Sequence, residues 1–352
     1  MRPDGWHLTE DVDGFLARAG AFLRSRPALH TMPLSVIGKL RTLGTAAYGD
    51  RGVPVLGRLE EAGKVHATFY RFPSRSLCVT SLTPEQAGTL AARLAALGHA
   101  LPSVTADHST ASSFAGAWQR RTGATPTLRV QLHLYRLGTL TPPEPVPAGW
   151  GRPAGEQDHE HLMRWCREFA ADTGEAVTID AGTWASTKFA EKRYTFWETP
   201  DGRPVSMAGV NPMVAGQVRV DPVYTPARLR GRGYAGAVTV EVSRAALTAG
   251  ATDVVLFTNA AHPTSNALYQ QIGYRPVTDF ATYDFAYAAP EPVNDLYCRA
   301  LARKSGAAFG DRIFDPAGLR PPVWFQQVPE SKAGNNRLHI DLYPTGRDNA
   351  CR

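Results

Sequence analysis

Apolar residues at helix-like spacing appear first at Phe15, Leu16, Phe22 and Leu23, and predict an amphipathic helix over residues 12–23. Two β-rich runs follow at 53–59 and 65–70, flanking residues 60–64 as a hairpin, with a further short run at 77–81. The triplet Thr83-Pro84-Glu85 predicts a capped helix start running to Leu97, because Pro early in a helix lacks only an N–H that would be unpaired anyway. A helix over 113–121 stopped by Gly123, then an alternating strand over 128–137, complete a first mixed segment.

The run Thr141-Pro142-Pro143-Glu144-Pro145-Val146-Pro147 cannot be helix and predicts an extended linker. Beyond it Leu162, Trp165, Cys166 and Phe169 mark one face of a helix over 158–171. Strands are expected at 194–197 and 204–210 around the turn residues Pro200-Asp201-Gly202, and again at 217–224. A helix over 233–249, a strand over 253–259, a helix over 264–272 and a strand over 282–287 follow. Ala289-Pro290-Glu291-Pro292 breaks the pattern again, before a tail of about sixty residues, a length near the lower limit for an independent core. The expected organisation is a domain at 1–138, a linker at 139–152, a second domain at 153–288 and a tail at 289–352. The fold class is α/β (α+β), with a mixed central sheet flanked by helices.

At 352 residues the chain exceeds the size at which single cores tend to split, consistent with more than one domain. A composition of 43% hydrophobic and 20% charged residues excludes wholesale disorder. The net charge of +6 comes from 38 basic residues interleaved with 32 acidic ones, with no basic stripe, so no nucleic-acid partner is expected. Cys78, Cys166, Cys298 and Cys351 are too scattered for a zinc knuckle or redox pair, and reduced thiols and no metal are expected. No apolar run approaches the ~20 residues of a membrane span. A cytoplasmic protein without a membrane partner is therefore expected.

The densest chemistry lies between a strand and a helix, in Val223-Tyr224-Thr225-Pro226-Ala227-Arg228-Leu229-Arg230-Gly231-Arg232-Gly233-Tyr234-Ala235. Arg228, Gly231 and Gly233 fill the pattern R-x-x-G-x-G. Glycines there let the backbone turn and approach a ligand closely, and the following helix offers unpaired N–H groups and a positive dipole end. Such a loop suits a pyrophosphate, although a Gly-rich turn before a helix can also be only a turn. A Rossmann fingerprint does not fit, since the first position is Arg, and a Walker loop lacks its Lys-Ser or Lys-Thr.

Together with Asp253-Val254-Val255-Leu256-Phe257-Thr258-Asn259 and Asn266-Ala267-Leu268-Tyr269-Gln270-Gln271-Ile272-Gly273-Tyr274, this loop resembles the GNAT superfamily of N-acetyltransferases. The resemblance implies acetyl-CoA as co-substrate, entering a splay between the strands that end near Tyr224 and Asn259. It implies that Val223, Tyr224 and Thr225 pair with the pantetheine amides and that Arg228, Arg230, Gly231, Arg232, Gly233, Tyr234 and Ala235 surround the pyrophosphate, with Asn259 and Asn266 also in the cofactor site. Tyr269 stands where the family carries a tyrosine near the thioester sulfur. It could protonate the leaving thiolate or merely pack under the cofactor. Two carboxylates are candidates for the base, Asp221 and Glu198. Either could equally be structural, Asp221 shaping an edge before Pro222 and Glu198 sitting solvated beside a turn.

The first segment resembles a degenerate GNAT domain without the arginine-glycine loop, giving a tandem GNAT architecture in which the first copy could supply substrate contacts or a lid. The tail, through residues 322–330 and 336–342, resembles part of a glyoxalase/bleomycin-resistance domain, a small βαβββ-like fragment whose lone His339 cannot make a metal site. The implied function is transfer of an acetyl group to the amine of a small molecule, a peptide N-terminus or a lysine, by direct attack on the thioester, and a homodimer is compatible with it. Two alternatives remain. One is a GNAT-fold sensor that binds acetyl-CoA without turnover, the other a glyoxalase-type or drug-binding function in the tail.

Overall fold

A computed structural model of the chain describes residues 5–45, 53–73, 75–98, 100–175 and 177–287, with the short pairs 312–313 and 323–324. The chain divides after Tyr287. Beyond that point the described residues form one two-residue antiparallel ladder, and the glyoxalase-like motifs, His339 included, otherwise lie outside the described residues.

Residues up to Tyr287 build two halves with the same order of elements, except that the first has a second helix before its hairpin. The first comprises β1 (Trp6–Thr9), α1 (Val12–Arg24), α2 (Thr31–Leu43), β2 (Val55–Glu61), β3 (Lys64–Arg71), β4 (Leu77–Val79), α3 (Pro84–Ala96), β5 (Ser103–Asp107), α4 (His108–Thr122) and β6 (Thr125–Leu137). The second comprises β7 (Trp150–Pro153), α5 (His159–Asp172), β8 (Arg193–Glu198), β9 (Pro204–Val210), β10 (Gln217–Tyr224), α6 (Tyr234–Thr248), β11 (Asp253–Asn259), α7 (Pro263–Gln271) and β12 (Tyr274–Ala286).

Local chemistry explains most boundaries. Ala62 and Gly63, both at positive φ, make the two-residue turn between β2 and β3. Thr83 caps α3 in a capping box with Gln86. Helix α4 begins five residues earlier than the apolar pattern predicts, because the Asp107 carboxylate accepts from the Thr110 N–H at 3.1 Å and starts the helix at the strand end. Strand β12 begins at Tyr274 rather than near Thr282. Its Pro276 sits at a register shift, where a missing N–H is tolerated. Helix α2 was not expected, although Leu34, Ile37 and Leu40 recur every third position and are buried.

One mixed sheet runs through both halves in the order β1-β2-β3-β4-β5-β12-β6-β11-β10-β9-β8-β7. The last strand of each half is exchanged. β6 pairs with β11 of the second half, β12 pairs with β5 of the first, and the two exchanged strands pair antiparallel from Leu137↔Tyr274 to Thr125↔Ala286. The end of β12 enters the first half's core, where Phe285 lies 6.1 Å from Trp118 between ring centroids. The Tyr287 hydroxyl then donates to the Leu101 carbonyl at 2.8 Å and accepts from Trp118 Nε1 at 3.0 Å. Strands therefore interleave across residue 138.

In the second half, α5 covers one face of the sheet through Leu162, Trp165 and Cys166, packed on Phe196, Met207 and Tyr224. Helix α6 covers the other through Val238 and Val242, packed on Val205, Ala208, Val218 and Val220. The first half's α2 reaches the second half as well: the Thr31 hydroxyl donates to Gln217 at 2.9 Å, and Lys39 Nζ donates to the Thr187 carbonyl at 3.4 Å.

Strands β10 and β11 run parallel and pair only from Gln217↔Asp253 to Val220↔Leu256. Past that point β10 shifts register against β9 between Val220 and Val223, at the level of Gly209. A methyl group on Gly209 would lie 2.9 Å from the Tyr194 ring, 3.0 Å from the Asp221 carbonyl oxygen and 3.1 Å from Pro222 Cδ. Gly209→Ala is therefore expected to lower unfolding free energy by about 1–3 kcal/mol through overpacking, measured by denaturant titration. Unchanged stability would show that the bulge is not held against this glycine.

Candidate active site

The arginine-glycine loop leaves β10 through a 3₁₀ turn at Ala227–Leu229 and enters α6. Gly231 and Gly233 have φ of 75° and 78°, a region that other residues enter only under strain. A methyl group on Gly231 would meet nothing within 4 Å, and one on Gly233 only Pro147, at 3.7 Å. The space in front of the loop is open. Helix α6 has no side-chain cap and no acidic residue in its first turn, so its first N–H groups and dipole face outward. The corresponding helix of the first half, α3, is closed by Thr83 and Gln86 and carries Glu85 in its first turn.

Arg228, Arg230 and Arg232 are exposed around this loop. Arg230 is already engaged, donating from Nε to the Thr225 carbonyl at 2.9 Å and from Nη2 to Asp172 at 2.5 Å, so it braces the loop against α5. The Tyr224 carbonyl accepts from Ser206 Oγ at 3.1 Å. The Thr225 and Tyr224 carbonyls are thus occupied within the protein, while Val223 lies where β10 has left β11. Tyr234 and Ala235 form the half-buried first turn of α6.

Across the splay, Asn259 Oδ1 accepts from the Ala261 N–H at 2.9 Å and shapes the turn into α7. Asn266 is buried, and its Nδ2 donates to the carbonyls of Asn259 at 3.2 Å and Ala260 at 3.4 Å. Its Oδ1 is buried with no partner among the described residues. An acceptor left unpaired at the splay fits a ligand that brings an N–H, and the open helix end fits a phosphate. Tyr269, on α7, is buried against α6 and makes an edge contact to the Tyr274 ring. Burial, and secondarily the charge of Asp221, push its phenol upward, so it stays protonated at neutral pH.

The two candidate bases stand in different surroundings. Asp221 is ion-paired with Lys192, whose side chain is only 4% exposed, while that of Asp221 is 28% exposed. Burial alone would raise the Asp221 carboxyl, but Lys192, Lys188 and Arg219 outweigh it and hold the group well below the usual carboxylate range. Lys192 is pushed down to about 8 by burial, against the opposing pull of Asp221. Glu198 accepts from Arg152 Nε at 2.6 Å, and the same guanidinium donates to both oxygens of Asp158 at 2.8 and 2.9 Å. It ends β8, which β9 separates from β10, and it is buried in this clamp rather than solvated beside a turn. The Arg152 clamp ties β7 and β8 to the start of α5. Lys192 was missed in the sequence, since nothing local marks a lysine 29 residues upstream as the partner of Asp221.

Among the described residues, no group of His, Cys, Asp and Glu could hold a metal ion, and no helix is long and apolar enough to cross a membrane.

No protein-family model matches the sequence, and no curated protein is similar to it. Among solved structures, a GNAT-family acetyltransferase from Colwellia psychrerythraea superposes with a TM-score of 0.50 at 10% identity, over 80% of this chain and 99% of that one. The fold is of the GNAT type. A GNAT-type N-acetyltransferase from Sphaerobacter thermophilus is also similar (17% identity, 80% and 96% of the two chains, TM-score 0.49). So is a tandem GNAT protein from the clavulanic acid biosynthesis pathway (13%, 81% and 99%, TM-score 0.48).

Within this GNAT fold the Lys192–Asp221 pair makes a direct prediction. Lys192→Met removes the nearest cation and leaves the carboxylate half-buried and unpaired, so the Asp221 carboxyl should titrate higher, read by carboxyl NMR. Stability at neutral pH should fall by on the order of 2 kcal/mol. An unmoved titration would mean that Lys192 does not hold the charge of Asp221.

Proposed function

We propose that the second half is an acetyl-CoA-dependent N-acetyltransferase site that passes an acetyl group to the amine of a small molecule or peptide. The observation that carries this reading is the uncapped N-terminus of α6 behind Gly231 and Gly233, set at the mouth of the β10–β11 splay. Arg228 and Arg232 add positive charge for the pyrophosphate, and Arg230 holds the loop in place. Asn266 Oδ1 accepts from an amide of the pantetheine arm.

Asp221 is ionised and on the opposite face of β10 from α6, where its free oxygen orients the acceptor's amine; held so low by Lys192, it is a weak base, and the amine's proton passes to water. As the amine nitrogen bonds to the acetyl carbon, the carbon–sulfur bond breaks and the thiolate departs. Tyr269 gives that thiolate its proton and recovers one from solvent. Glu198, held by Arg152, positions the strand edge and takes no proton.

The test is acetyl-CoA turnover, followed as thiol release with a panel of amines. Tyr269→Phe keeps the ring and its packing but removes the proton, so kcat should fall by roughly 10²–10⁴ while KM for acetyl-CoA stays within about a few-fold. Full turnover in the variant would assign Tyr269 a packing role. Tight acetyl-CoA binding with no thiol release for any amine would replace the transferase by a sensor.

A further inference from the structure

On the face of β10 turned away from α6, one guanidinium has no carboxylate bound to it among the described residues. Along the strand Val218 and Val220 pack into the α6 core, so Arg219 and Asp221 share the other side, roughly 7 Å apart at strand spacing. Asp221 spends Oδ2 on Lys192 and keeps Oδ1 without a partner among the described residues. The neighbouring lysines are also matched, Lys188 by Glu175 at 2.6 Å and Lys39 by Glu191 at 3.8 Å.

Arg219 is different. It is half-buried, and no carboxylate among the described residues pairs with it. Its recorded bonds are two long ones from Nη1, 3.4 Å to the Thr31 carbonyl and 3.5 Å to the Thr31 hydroxyl. Nε and Nη2 are left over. Its charge acts on Asp221 only from a distance, and its planar fork matches a carboxylate in two parallel hydrogen bonds.

We propose that the acceptor is an amine that also bears a carboxylate, an amino acid or related amino-carboxylate, with Arg219 binding the carboxylate and the free oxygen of Asp221 facing the amine. Arg219 is then a specificity-determining residue. Helix α2 of the first half closes this end of the site through Thr31, so the half without a phosphate loop shapes the acceptor pocket of the half that has one. The inference rests on the transferase reading above.

The experiment compares matched acceptors, free amino acids and their carboxamides, by thiol release from acetyl-CoA, with acetyl-CoA affinity followed in parallel by calorimetry. Wild-type protein should favour the carboxylate member by at least about tenfold in kcat/KM, mostly through KM. Arg219→Gln should reduce that preference to within about twofold while leaving acetyl-CoA affinity unchanged. Arg219→Lys, which keeps the charge but not the fork, should fall between and serves if the glutamine variant folds poorly. Equal rates for the pair, preference for the carboxamide, or a preference that survives both substitutions overturns the proposal and leaves the transferase standing. Acetyl-CoA binding without thiol release for any amine overturns the transferase reading, and the proposal with it.

Discussion

The reciprocal exchange of β6 and β12 is the pairing on which the other features of the structure depend. Each strand completes the sheet of the half it does not belong to, and their mutual ladder runs the full length of both. The exchange holds β11 from one side by β6 over Val255–Asn259, so β11 stays in the sheet past the point where β10 has parted from it. It also buries Phe285 in the first half's core and ties the Tyr287 hydroxyl to Leu101 and Trp118. A half on its own would present an unpaired sheet edge where its partner's strand now lies, which is a template for non-native pairing.

Given this shared framework, the halves differ where chemistry requires. Between strand and helix the first half has only residues 80–83, and Thr83 satisfies the N–H groups of α3. The second has the longer loop with two left-handed glycines, and leaves α6 uncapped. One helix end is finished as a structural cap and the other has none. What the first half contributes is a wall, since α2 lies against the start of β10 through Thr31 and against the segment before β8 through Lys39.

Much of this was legible in the sequence where the signal is local. The capped start of α3, the Pro-Asp-Gly turn before β9, and the strand, loop and helix around Gly231 and Gly233 depend on residues within one turn or loop of each other. Helix α2 also carries a local apolar period, at Leu34, Ile37 and Leu40. The strand exchange was not legible, because β6 and β12 are joined by a ladder between residues about 150 positions apart, and nothing in either strand names its partner. The same distance problem hid Lys192 beside Asp221 and the Arg152 clamp on Glu198, which separate two carboxylates that look alike in sequence.

The central claim, that one open helix end in a two-half sheet makes a single acyl-donor site, is tested most directly by titrating the protein calorimetrically with acetyl-CoA. The account predicts one site per chain, abolished by Gly231→Val, whose β-branched side chain is strained at this φ and fills the space in front of α6. Two sites per chain, no binding, or binding that survives the substitution would contradict it.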